Sequence, residues 1–268
     1  MPDYKSIFDG VESTLLKIGS RKLPLAEIRA YLDRFKHLEG KSFSDEEYYR
    51  ILVDVVFYSG FRAETVTAKL PVIHGHFPSF EIVAKYGSDE VKAILSDTQM
   101  IRHPGKILWC IDNAKIFMAI IHNSGSFQKY IDSFEPRNSE HNLLRLQKEL
   151  QRLRGLSKIT VLHFLTDIGM DVAKPDRVVC RIFSRLGLVE RNPKPEDVVR
   201  VAREFAKATG HPIRYIDIIF ASYGHERHTD VGLDKGVCLE KNPACHFCGI
   251  TSHCSYYAEL PRKRNQKV

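Results

Sequence analysis

The sequence predicts an all-α fold, and three observations carry that expectation. Apolar residues recur at helical spacing, as at Ile107, Ile111, Ala114, Phe117 and Ile121; proline and glycine stand where such runs begin and end; strand-like alternation of any length is missing. With 268 residues, 43% of them apolar, the chain can bury a sizeable core in one large domain or two small ones. No apolar run approaches the ~18 residues that a membrane helix needs. The N-terminus lacks the charged start and apolar core of a signal peptide. These features predict an intracellular monomer, cytoplasmic (nucleoid) or nuclear, with no membrane partner. A formal net charge of +7 suits a polyanionic partner without requiring one.

Residues 1–40 read as two amphipathic helices, around Val11 to Ile18 and Leu25 to Leu38, with basic residues on their outer faces. Ser44 and Glu47 form a capping-box pattern ahead of a helix with apolar positions Tyr48, Ile51, Leu52, Val55 and Val56, stopped by Gly60. Asp54 lies inside it between two valines, where a lone acid is by default on the solvated side. A helix from roughly Ala63 to Leu70 takes Pro71 as its limit, and short helices start near Ser79 and Ser88. Pro104 suits the first turn of a long helix whose buried face runs through Ile107, Trp109, Ile111, Ala114, Phe117 and Ile121. A helix from about Asn138 leads to Leu153. Others run from Asp176 to Gly187, from Pro195 to Gly210 and from Pro212 to about Ser222. The basic tail Pro261-Arg-Lys-Arg264 reads as a solvated end.

The stretch Leu153-Arg-Gly-Leu-Ser-Lys-Ile-Thr-Val161 carries the first chemical signal. The chain reverses at Gly155, and a second helix begins at Ser157 or Lys158 with Val161, Leu162, Leu165 and Ile168 facing inward. Such a helix-hairpin-helix leaves free N–H groups at the second helix start. Helix polarity and Lys158 then favour an anion such as a nucleic-acid phosphate. Any two helices joined by a short glycine turn look alike, so the turn alone leaves a purely structural role open. Asp176, preceded by Pro175, heads its own helix and by position is an ordinary cap.

Six cysteines fall into two groups. Cys110 and Cys180 lie alone in apolar helical patterns and read as buried small apolar residues. Cys238, Cys245, Cys248 and Cys254 are separated by six, two and five residues and read as metal ligands. The two-residue gap lets neighbouring thiolates bend back to one centre while the longer gaps wrap a loop round it. Structural zinc sites often use two Cys-x2-Cys knuckles and only one occurs here, so spacing leaves the metal open between zinc and an iron-sulfur cluster.

Together, the hairpin, the run Pro175-Asp-Arg177 and the cysteine spacing resemble the iron-sulfur branch of the helix-hairpin-helix DNA glycosylase superfamily, to which endonuclease III and MutY belong. A further run, Arg102-His-Pro-Gly-Lys106 followed by Asn113-Ala114, is similar to the bacterial 3-methyladenine DNA glycosylase I family. The resemblance covers about residues 41–255. It implies two domains: a helical barrel over 41–170 containing the hairpin, and an iron-sulfur cluster domain from 1–40 and 171–268, with the hairpin and Asp176 bordering a basic cleft. The four cysteines would then hold a 4Fe-4S cluster. Its loop would meet phosphate through Lys235, Lys241, Arg262 and Lys263.

The implied activity is that of a base-excision-repair enzyme acting on double-stranded DNA with a damaged or mismatched base. Backbone at Gly155, Ser157 and Lys158 would grip phosphate, with Arg62, Arg102 and His103 also at DNA. Phe61 or Arg62 would fill the hole left by a flipped base, and Phe57, Tyr58, Phe61 and Trp109 would line the base pocket. Asp176 would face the sugar and stabilise positive charge there, while Asp54 falls where MutY has its purine-protonating glutamate. Ile159 stands where bifunctional members carry the lysine that attacks the sugar, and Ser157 stands where the family usually has glycine. The expectation is a monofunctional glycosylase removing an alkylated purine. The alternatives are removal of adenine, uracil or thymine from mismatches, and a non-catalytic DNA-binding module that keeps the cluster.

Overall fold

The computed structural model describes residues 2–38 and 40–260. In chain order the helices are α1 (Tyr4–Gly19), α2 (Leu25–Asp33), α3 (Asp45–Tyr58), α4 (Ala63–Thr67), α5 (Leu70–His76), α6 (Phe80–Val83), α7 (Ser88–Ser96), α8 (Pro104–Ser124), α9 (Phe127–Asp132), α10 (Glu140–Leu150), α11 (Thr160–Asp167), α12 (Arg177–Arg185), α13 (Pro195–Thr209), α14 (Ile213–Gly224) and α15 (Ser255–Glu259). Among the described residues, β-type pairing is limited to an isolated bridge between His228 and Leu233, so the all-α expectation holds. No helix among them is long and apolar enough to cross a membrane.

Local chemistry sets most boundaries. Ser44 accepts from Glu47 N–H while the Glu47 carboxylate accepts from Ser44 N–H, a capping box that starts α3. Ser79, Ser126 and Ser139 cap α6, α9 and α10 in the simpler way, each through its hydroxyl. Pro71 corrects the sequence reading. It sits in the first turn of α5, where its missing N–H has no intrahelical partner to lose, and the preceding helix has already stopped at Thr67.

The chain divides into two compact units, one of residues 40–170 and the other of the described residues on either side. In the central unit α8 is the hub, with α3, α6, α7 and α9 packed against it. Phe117 of α8 stacks on Phe127 of α9 at 4.1 Å between ring centroids, and Tyr49 and Phe80 close the same core. In the split unit α14 is buried all round, surrounded by α1, α12 and α13. Phe8, Phe183, Phe205 and Phe220 form its aromatic centre.

Candidate active site

The hairpin turn is fixed from α8. Asn113, 0% exposed, donates through Nδ2 to the Arg154 carbonyl at 2.9 Å and accepts at Oδ1 from the Arg154 N–H at 2.7 Å. Gly155 follows with φ +85°, a left-handed value that penalises a side chain. A Cβ there would come within 3.1 Å of Val56 and 3.2 Å of Trp109, so the close approach of α3, α8 and the turn also calls for glycine.

Ser157 alters the second half of the turn. Its N–H donates to Thr160 Oγ1 at 2.5 Å, and its own Oγ accepts from the N–H groups of Ile159 and Thr160, each at 3.3 Å. The helix α11 therefore starts at Thr160, later than Ser157 or Lys158. One of the donors expected to face phosphate, the Ser157 N–H, is already engaged by a side chain of the turn, as are the N–H groups of Ile159 and Thr160. Lys158 is exposed, and Ile159, 48% exposed, caps α11 without an amine. Val161, Leu162, Leu165 and Ile168 are buried as expected.

Asp54 is half-buried rather than solvated. Its Oδ1 lies 2.7 Å from Nε2 of His74, which α5 delivers to the side of α3. Tyr58, one turn beyond Asp54, pairs its hydroxyl with Thr67 Oγ1 at 2.9 Å, and its ring lies 6.1 Å from that of His163 on α11. His163 in turn sits 3.1 Å from Asp167. Burial first, then the negative charges of Asp54 and Asp167, raise the Tyr58 pKa. Tyr58 thus lies one turn from the carboxylate of one histidine-carboxylate pair and within 6.1 Å, ring to ring, of the histidine of another. His74 was invisible in the sequence because Pro71 read as a stop. Once Pro71 opens α5, His74 falls one turn in, where it can reach α3.

Two of the expected pocket residues are placed differently. Phe57 is fully buried and packs on Phe77 at 5.9 Å, so it is a core residue with no face for a base. Trp109 is not on the buried stripe of α8 but 36% exposed, and Phe61 is 38% exposed. The His103 ring stands between them, 6.2 Å from Phe61 and 6.5 Å from Trp109. Arg62, Arg102 and His103 are exposed.

In the split unit, Asp176 caps α12: its Oδ1 accepts from the N–H groups of Val178 and Val179 at 2.8 and 2.9 Å. The cap uses one oxygen and fixes the plane of the carboxylate. The cysteines at 238, 245, 248 and 254 line one cavity together with Ile182 and Tyr257, and none forms a disulfide. Arg185 of α12 donates to Cys238 Sγ and Tyr223 of α14 to Cys248 Sγ, both at 3.2 Å. Sequence patterns gave no hint of either donor. Burial raises the thiol pKa of Cys238, Cys245 and Cys254. Among the described residues, no three His, Cys, Asp or Glu side chains are grouped so as to hold a single metal ion. Lys235 and Lys241 are exposed, whereas Arg262 and Lys263 lie outside the described residues. Cys110 is buried, and Cys180 is half-buried against the core.

Residues 29–189 match the family model for methyladenine glycosylase. Among solved structures, the chain is similar to endonuclease III trapped as a covalent intermediate with DNA, at 15% identity and TM-score 0.56, covering 88% of this chain and 98% of that one. It is also similar to the 8-oxoguanine DNA glycosylase of Thermotoga maritima, at 20% identity and TM-score 0.53, covering 80% and 95%. A third likeness is to 3-methyladenine DNA glycosylase I from Staphylococcus aureus, at 19% identity and TM-score 0.45, covering 52% and 84%. The first two share this chain's fold. The family match ends at residue 189, short of the four cysteines.

Proposed function

Because the chain belongs to the methyladenine glycosylase family, we propose that it hydrolyses the N-glycosidic bond of an alkylated purine in duplex DNA and leaves an intact abasic site. The protein is a DNA N-glycosylase of base excision repair; the choice of base and the absence of strand cleavage are the proposal. One observation carries it: the family match spans the Asp54 helix, the Arg102 to Lys106 run and the hairpin together.

An N-alkylated purine carries positive charge, and departure neutralises it. As the C1′–N bond breaks, the bonding pair goes to the base, a water oxygen bonds to C1′, and that water gives up a proton to solvent. Positive charge builds on the sugar meanwhile, and the Asp176 carboxylate is the group we assign to stabilise it and orient the water. The cap on Oδ1 supports this role by holding the carboxylate fixed. Asp54 and Tyr58 are assigned to the cationic base, with the carboxylate offering charge and the phenol ring a π face. The His74 contact supports Asp54 by holding it in one orientation. Phe61 and Arg62 are assigned to the space vacated by the flipped nucleotide, and the hairpin with Lys158 to the backbone. Ile159 supplies no amine, so no Schiff base forms there.

A 4Fe-4S cluster fits the donor set of the split unit. Cys238, Cys245, Cys248 and Cys254 would hold it, each thiolate binding its own iron, so the sulfurs need share only the cavity, as they do here. Arg185 and Tyr223 already donate to two of the sulfurs, which suits thiolate ligands. When bound, the cluster would serve to order the loop rather than to exchange electrons with the substrate.

The test is chromatography of bases released from duplexes carrying methylated, deaminated, oxidised or mismatched bases. Release of methylpurine in excess over the others is expected; preferential release of uracil, thymine or unmodified adenine would overturn the assignment of the base.

A further inference from the structure

The first three turns of α8 hold two separate turns of the central unit, and one buried charge joins α8 to the first of them. Lys106 is 4% exposed. Its ammonium donates to the carbonyl of Val56, in the last turn of α3, and to that of Ser59 just beyond, the latter at 2.7 Å. Helix ends leave carbonyls unsatisfied, and a cation there is favoured by the helix dipole. The next residue, Gly60, has φ +78° and turns the chain so that Phe61 emerges. The Lys106 ammonium lies 5.5 Å from the Phe61 ring and 5.9 Å from the Trp109 ring. His103 accepts from Lys106 N–H at Nδ1 and meets Phe61 edge-on, so the base of the aromatic ring is held from two sides.

Farther along the same helix, Trp109 lies against Gly155 and Asn113 grips Arg154. The positions 103, 106, 109 or 110 and 113 recur every three or four residues and so form one stripe. Tyr49 reinforces it by donating to the Cys110 carbonyl at 3.0 Å. Burying an ammonium is costly, and a neutral donor would have satisfied one carbonyl without that cost. What the ammonium adds is several donors on one atom, able to hold two carbonyls of different residues at once.

We propose that α8 is a bracket setting the Phe61 turn in register with the hairpin turn, and that Lys106 is the positioning residue that holds Phe61 ready to enter the duplex. The idea rests on the assignment of Phe61 to the vacated space. It identifies the lysine of the Arg102 to Lys106 run as a structural tie with a consequence for DNA distortion, not as a group that touches the base.

Single-turnover excision from methylated DNA, duplex and single-stranded, tests it with wild type, K106M, F61A and the double variant. A base in a single strand needs no space filled behind it. K106M is therefore expected to lose on the order of 10- to 100-fold on duplex, the scale of a small misplacement, with single-strand excision nearly unchanged. F61A should lose at least as much on duplex, and the double variant should fall no further than F61A there, as coupled residues do. Brightening of 2-aminopurine beside the lesion should be lost with duplex excision. Equal loss on both substrates, or additive losses, overturns the bracket. If K106M proves unfolded by circular dichroism, K106Q, whose shorter side chain puts a neutral amide in place of the ammonium, takes its place and is expected to show the same duplex-selective loss. Wild type inactive on both substrates defeats the assigned function, and the bracket with it; wild-type activity matched by K106M on both defeats the bracket alone.

Discussion

The Asn113 amide makes both of its hydrogen bonds to the backbone of one residue, Arg154, donating to its carbonyl and accepting from its N–H. A side chain thereby supplies the pairing that a strand or helix would otherwise give a turn.

Removal of that pair should be felt in stability before chemistry. Asn113→Ala leaves two backbone groups of Arg154 without their partner, at a cost of about 1–3 kcal/mol. Thermal denaturation should show a melting temperature several degrees lower, with DNA affinity reduced as the hairpin loosens. An unchanged melting temperature contradicts the assignment.

The cluster prediction concerns the split unit alone. Protein purified without oxygen should be brown and contain about four iron and four labile sulfide per chain. Cys248→Ser should lower both and destabilise the unit. Colourless wild-type protein with one zinc per chain would refute the cluster.

Strand cleavage separates one-step from two-step chemistry. With Ile159 capping α11 and Lys158 ahead of the helix, the product should be an intact abasic site that breaks only after alkali or heat. Cleaved strands in the untreated lane of a gel, or a borohydride-trapped covalent adduct, would show an amine at work.

Stability should fall in mild acid, with a contribution from His228. It is packed beside the Tyr31 hydroxyl at 3.1 Å, the His225 ring at 6.1 Å and Asp230 at 3.8 Å, and burial pushes its pKa down to about 4. The unfolded value near 6.5 is higher, so the unfolded chain binds the proton first and stability is lost as pH drops from about 6.5 towards 4. The full effect is on the order of 3 kcal/mol. Urea denaturation at about pH 7 and about pH 5 should show a smaller loss for His228→Gln than for wild type. Equal losses would mean that this imidazole does not drive the trend.

Much of the fold was legible because its signals are local. The Ser44 and Glu47 capping box, Pro104 in the first turn of α8, and the apolar stripe of α11 each depend on residues within a few positions. Pro71 misled because a proline at a helix boundary marks either an end or a beginning, and local sequence does not say which. Phe57 and Trp109 were misplaced for a related reason. Periodicity places an aromatic on a face of its own helix but does not reveal which neighbours cover that face. The partners of the chemical groups were mostly beyond reach. His74 beside Asp54, Asn113 at Arg154, and Arg185 and Tyr223 at the cysteine sulfurs are all long-range pairs that no spacing encodes. The turn was legible in outline, while the use of Ser157 and Thr160 hydroxyls to satisfy its own donors was not.

The Asp176 carboxylate, at the cap of α12, is the group assigned to assist departure of the base. Asp176→Asn keeps a side-chain oxygen able to cap Val178 and Val179 and removes only the charge. Single-turnover release of methylpurine from duplex DNA is the direct measurement. The account predicts a loss on the order of 10³-fold for this variant, with DNA affinity and melting temperature close to wild type. Release at the wild-type rate would contradict it.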